Sequence, residues 1–120
     1  MLRLLLSFVL VAVAAGEVAA QYTSFLLING TAYPINSLQV SESLMNIWTR
    51  NELGPPPIKA GERRQVRFNA PTNFCQADLQ VGFADGGAPA IWQNLNLCTL
   101  SKIKLQYDRG TGMTTASYDD

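Results

Sequence analysis

From Cys75 to Phe83 polar and apolar residues alternate, with Leu79, Val81 and Phe83 at every second position. That period is the pattern of a half-buried strand. Asp85-Gly86-Gly87 follows, and glycines supply the positive φ that tight hairpin turns need. Ile91 to Leu97 then alternates again. The stretch predicts a β-hairpin whose open end carries Cys75 and Cys98, the chain's two cysteines. With Gly86 and Gly87 as the loop, Val81 faces Trp92 and Cys75 faces Cys98. Opposed antiparallel residues lie within the roughly 4.4–6.8 Å between Cα atoms that a disulfide spans. This register puts Leu79, Val81 and Phe83 on the face opposite Ile91, Leu95 and Leu97. A slip of one residue unites them. A bulge or a longer loop through Ala88-Pro89 supplies that slip, near the turn or near Cys98.

The same pattern recurs along the chain. Phe25-Leu26-Leu27-Ile28 is an apolar run of strand length, and Asn29-Gly30-Thr31 is a turn signal. It also matches a glycosylation sequon, and the turn is the preferred reading. Tyr33 to Val40 resumes with Ile35, Leu38 and Val40 apolar, giving a second hairpin or a strand-turn-strand. Ser41 to Leu53 is irregular: either Ser43 caps one helical turn over Leu44 to Trp48, or this is a loop with buried anchors. Gly54-Pro55-Pro56-Pro57 is a rigid connector. In Arg63 to Phe68, Val66 and Phe68 point inward and Arg63 and Arg67 outward. Asn69 to Asn73 is a loop. Ser101 to Tyr107 alternates once more, with Ile103, Leu105 and Tyr107 on one side. Residues 109–120, rich in Thr, Ser, Gly and Asp, read as a disordered tail. The six strand candidates and frequent turn signals predict an all-β fold, a small antiparallel β-sandwich or open barrel over 21–108, with one disulfide.

Residues 1–20 read differently. Arg3 precedes an apolar run from Leu4 to Ala15, and Val18-Ala19-Ala20 ends in small residues before Gln21. This is the pattern of a secretory signal peptide cleaved after Ala20, with Gly16 as the alternative point. Glu17 interrupts the run too early for a membrane anchor, so no stable anchor is expected after cleavage. Export and paired cysteines agree on an oxidising compartment, periplasmic or secreted. The bridge should contribute roughly 3 kcal/mol on the chain-entropy model. Net charge is zero, which gives no basis for a nucleic-acid partner.

The chain has no histidine. That removes His-based triads, His metal sites and His general bases. Bridged cysteines remove thiol chemistry. Glu42, Glu52, Glu62, Asp78, Asp85 and Asp108 follow no acid/base spacing, and no compact acidic loop offers calcium its six to eight oxygens. No cofactor is therefore expected, and the chain reads as a non-enzyme. The candidate binding residues are the tryptophans Trp92 and Trp48, and Arg63 and Arg67 with Arg64 and Lys59 as an anion patch.

Several stretches are similar to those of small exported bacterial proteins: Asn29-Gly30-Thr31, Ile35 to Ser41, Trp48 to Leu53, Gly61 with Val66-Arg67-Phe68, Cys75 to Phe83 and Asn96-Leu97-Cys98. The resemblance covers nearly the whole of the mature chain. The family is uncharacterised and often labelled Tat-pathway signal protein; some members are called argininosuccinate lyase, a name unsuited to a β domain of about 100 residues. This chain departs from the family pattern at Thr49, where glycine is usual, and at Asn51, where an acid is common. The resemblance carries no catalytic residues with it. The expectation is an exported β domain that binds or supports an envelope protein, with an open strand edge as one way to do so, in the sense of strand addition. The alternative is a small inhibitor of an envelope-targeting hydrolase, a lysozyme or a protease, inserting a loop within Ser41–Pro57.

Overall fold

The computed structural model describes residues 24–68 and 74–119. The leader expected over 1–20 and the loop expected over Asn69–Asn73 lie outside the described residues. Seven strands occur among those described: β1 Ser24–Asn29, β2 Ile35–Glu42, β3 Arg63–Arg67, β4 Gln76–Phe83, β5 Ala90–Asn96, β6 Lys102–Asp108 and β7 Met113–Asp119. They form a four-stranded sheet in the order β3-β1-β6-β7 and a three-stranded sheet in the order β2-β4-β5. The all-β fold and the disulfide are as the sequence predicts. The pairing is antiparallel throughout except between β1 and β6, which run parallel. A parallel pair needs a long crossover, and here the crossover is the whole of β2 to β5.

Inward residues of both sheets make one core. Phe25, Leu27, Val66, Ile103 and Leu105 come from the first sheet, and Ile35, Leu38, Val40, Leu79, Val81 and Trp92 from the second. β1 and β2 belong to different sheets, so the strand-turn-strand reading holds and the second hairpin does not form. Asn29-Gly30-Thr31 makes the turn between the sheets. The Asn29 side chain is buried and donates to the carbonyls of Tyr33 and Ile58 at 2.8 and 2.9 Å. It is occupied as a turn residue.

Two bulges reconcile imperfect alternation with one buried face. In β2 the register shifts between Ile35 and Ser37, so Ile35 and Leu38 both point inward although they stand three apart. In the Cys75–Cys98 hairpin, Ala77 pairs Leu95 but Leu79 pairs Trp92, so Gln93 and Asn94 together oppose Asp78. The turn is also longer than Gly86-Gly87, since Val81 pairs Ala90 and not Trp92. The expected slip therefore sits in mid-strand, with a longer loop besides. It turns Trp92 inward and leaves Ile91 outward at 39% exposure, against the expectation that Ile91 joins Leu95 and Leu97. Cys75 and Cys98 close the hairpin with Cα atoms 5.1 Å apart.

The tail expected to be disordered is instead β7 over Met113–Asp119, pairing β6 along its length. A polar sequence suffices here because β6 offers a complete edge of backbone donors and acceptors. β7 also closes one side of the sandwich: the Trp92 indole N–H donates to the Thr115 carbonyl at 2.8 Å, and the Thr114 hydroxyl to the Ile91 carbonyl at 3.1 Å. On the other side the chain after β2 doubles back along that strand's outer edge. Thr49 N–H donates to the Val40 carbonyl, Glu52 N–H to the Leu38 carbonyl, and Ile58 exchanges both bonds with Ile35.

Candidate functional site

At the disulfide end of the three-stranded sheet, the loop Ser43–Trp48 leaves β2 and projects apolar side chains into solvent. Its anchors are polar. Ser41 and Asp78 face each other across β2 and β4 on the side away from the core. Both are buried, Asp78 at 1% exposure, because the loop lies over them. Asp78 Oδ1 accepts from the Ser43 hydroxyl at 2.8 Å and from the Asn94 N–H at 2.9 Å, and Oδ2 accepts from the Leu44 N–H at 3.0 Å. Ser41 Oγ accepts from the Ile47 N–H at 3.0 Å. The bulge at Asn94, with φ of 60°, is what aims its N–H at the carboxylate. Burial pushes the Asp78 carboxyl upward, but the hydrogen bonds from Leu44, Asn94 and Ser43 outweigh it and hold the group below the ordinary 3.8.

Held at both ends, the loop adopts a costly backbone. Leu44 has φ of 69° and Asn46 φ of 55°. The left-handed region suits asparagine, whereas for leucine it costs roughly 1–2 kcal/mol. The outcome is an apolar tip: Leu44 is 76%, Met45 55% and Ile47 71% exposed. Glu42, Met45, Ile47 and Phe74 line a shallow cleft of about 170 Å³ at its base. A convex apolar tip beside this notch can bind another macromolecule.

The other predicted site residues fall elsewhere. Trp92 is 2% exposed with its N–H spent on Thr115, so as a binding aromatic it is corrected to a core residue. Trp48, half-buried, ends the apolar loop. Arg63 and Arg67 lie exposed on the outer face of β3, but Arg64 points the other way and donates to the Gly54 carbonyl at 2.8 Å. The four basic residues are thus not one patch. The helical turn expected over Leu44 to Trp48 is absent, and the alternative of a loop with buried anchors holds for Ser41, Glu52 and Leu53 but not for Leu44, Met45 and Ile47. The signal that was available is Ser41, Ser43 and Asp78, three short polar side chains able to bond backbone N–H groups. Thr49 and Asn51 dress the β2 edge: Thr49 Oγ1 accepts from the Val40 N–H at 3.1 Å and Asn51 Oδ1 from the Leu38 N–H at 2.9 Å. An open β2 edge is therefore not available for strand addition.

A second constellation sits at the opposite end. The Arg109 guanidinium carbon lies 3.5 Å over the Tyr33 ring, and its nitrogens donate to both Asp85 oxygens at 2.9 and 3.1 Å. The Arg109 hydrogen bond, with help from the Gly87 N–H, holds the Asp85 carboxyl below its usual range. Phe83 and Tyr107 stack behind Tyr33. This latch ties the β4–β5 turn to the β6–β7 turn.

No family model matches the chain, and no curated protein does either. Among solved structures, an NMR structure of a protein from Eubacterium rectale is similar at a TM-score of 0.51 and 12% identity, over 82% of this chain and 89% of that one. At that identity the likeness is one of fold.

Proposed function

We propose that this chain is an exported, non-enzymatic binding module that engages a protein of the cell envelope through the loop Ser43–Trp48. The observation that carries the reading is three apolar side chains held in solvent by a strained backbone and a buried carboxylate. Strain at a solvent-facing tip persists only where the surroundings enforce it, and preorganisation lowers the entropy cost of association. The disulfide agrees with an oxidising compartment outside the cytoplasm. The resemblance to small exported bacterial proteins agrees with the same place. The test compares the exported protein with a Leu44→Ser/Ile47→Ser variant as baits for an envelope extract, the start of the mature chain being checked at Gln21 by N-terminal sequencing. A partner retained by the parent and lost by the equally stable variant is the expected outcome. Equal capture by both would end the loop's role, and reproducible turnover of a substrate would end the non-enzymatic reading.

A second reading, inhibition of an envelope-targeting hydrolase, is favoured by the loop's convexity. Loss of lysozyme or protease activity on adding the parent but not the variant would single it out.

A further inference from the structure

The outer face of the four-stranded sheet brings together cations that the sequence keeps far apart. In register across the strands stand Arg63 of β3, Ile28 of β1, Lys104 of β6 and Ser117 of β7. Strands lie about 4.8 Å apart, so Arg63 and Lys104 start about 10 Å from each other and the row spans about 14 Å. Arg63 and Lys104 make no hydrogen bond or ion pair among the described residues. The Lys104 stem lies across Gly30, where an added Cβ would meet its Cε at 2.8 Å and the Leu105 carbonyl at 2.7 Å; the bare glycine lets the lysine cross the sheet. Ile28, Lys102, Lys104, Ser117 and Tyr118 line a shallow cleft of about 240 Å³ on this face. Arg67 and Lys102 flank the row with interactions of their own. The acids of the face stand at its margins: Glu62 bonds the Lys59 N–H, Asp108 bonds the Gly110 N–H, and Asp119 is opposite Lys102 in register.

We infer that this face binds an extended anionic polysaccharide. The alternation of cation, apolar side chain, cation and hydroxyl matches a chain of acidic sugars. Such a chain offers anionic groups at nanometre spacing, apolar ring faces between them and hydroxyls along its edge. Of the exposed large apolar residues, Leu44, Met45 and Ile47 extend from the other sheet, while Met113 and Tyr118 stand on β7 of this one, Tyr118 beside Lys102 and Lys104 in the cleft. The inference stands apart from the loop's role, since it uses neither the same residues nor the same face.

The test is a titration of the ¹⁵N-labelled exported protein with an oligogalacturonate, read by amide shifts at low ionic strength. Shifts should map to Ile28, Lys104 and Ser117, fade with added salt, and be absent with the neutral oligogalactose. Arg63→Gln and Lys104→Gln should each weaken binding about five-fold, as one surface cation does against an anionic partner, with melting temperature unchanged because both side chains are exposed. Leu44→Ser should bind as the parent does. Shifts scattered over the molecule, or affinity indifferent to both glutamine variants, would overturn the inference. So would binding to phosphatidylglycerol vesicles without binding to the oligosaccharide, which would assign the face to a bilayer.

Discussion

Asp78 is a carboxylate at 1% exposure with no cation beside it among the hydrogen bonds it accepts. Burying a charge is costly unless donors replace its water, and here two N–H groups and a hydroxyl do so. Asp78→Asn keeps the shape but turns an amide N–H₂ toward the Leu44 or Asn94 N–H, leaving a buried donor unmet. We expect a loss of about 2 kcal/mol in urea unfolding at pH 7. The pH dependence has a definite sign. Because the folded chain holds the carboxyl below 3.8, its contribution is complete above that value. It disappears as pH falls through the lower, folded value. Acid unfolding of the parent should therefore show a component below about pH 4 that Asp78→Asn lacks. At Leu44 stability and binding should oppose each other. Leu44→Gly relieves the left-handed strain at φ of 69° and should raise stability by up to about 1 kcal/mol, read by thermal melting, while abolishing capture of the partner. A destabilised glycine variant would show that Leu44 is packed and not presented.

At the scale of elements, the bulge in the Cys75–Cys98 hairpin links core to loop. One extra residue on β5 puts Trp92 and Leu95 on the same buried face, and the same residue turns its N–H to Asp78. The disulfide closes this hairpin next to the loop's anchors, with the Leu97 N–H bonded to the Cys75 carbonyl at 2.9 Å. Replacing both cysteines by alanine should cost roughly 2–5 kcal/mol, lowering the melting temperature by on the order of 10–20 °C. Binding at low temperature should survive, because the bridge is not part of the tip. Thiol titration of the unreduced, denatured parent should find none free. β7 is the other element with a measurable role. Deleting Met113 to Asp120 should lower the melting temperature by on the order of 10 °C or more, since it exposes the β6 edge and strands the Trp92 N–H. A truncated chain as stable as the parent would return that segment to the status of a tail.

For the molecule as a whole, the two sheets are closed on both sides by different devices. β7 meets β5 through Trp92 and Thr114, and the segment Thr49 to Ile58 runs along β2 without being a regular strand. Gly54-Pro55-Pro56-Pro57 cannot supply a ladder of N–H groups, so side chains of Thr49 and Asn51 stand in for part of it. With the β2 edge covered and β5 set against β7, the faces and the loop are among the surfaces open to partners. They point in different directions: the apolar loop extends from the three-stranded sheet and the basic row lies across the outer side of the four-stranded one.

Period-two alternation, with short apolar runs and turn signals between them, was enough to give six of the seven strands, the hairpin and its cysteine pair, because burying one face of a sheet imposes that period on the side chains themselves. It was not enough for β7, whose threonines and serines carry little burial signal. That strand forms because β6 presents an unsatisfied edge, which is a property of the assembled sheet. Nor could it locate the bulges at Asn36 and Asn94 or decide between Ile91 and Trp92. Register depends on which residues of a distant strand fill the core, and a single extra residue reverses every face beyond it. The candidate site was legible only in its ingredients. Ser41, Ser43 and Asp78 are visibly able to cap backbone groups, yet that the last lies opposite the first, 37 residues later by numbering, comes from the β2–β4 pairing alone. The apolar tip reads in sequence like a buried segment, and it is exposed because those polar anchors occupy the position beneath it. The row from Arg63 to Ser117 exists only where four strands from distant parts of the chain come into register.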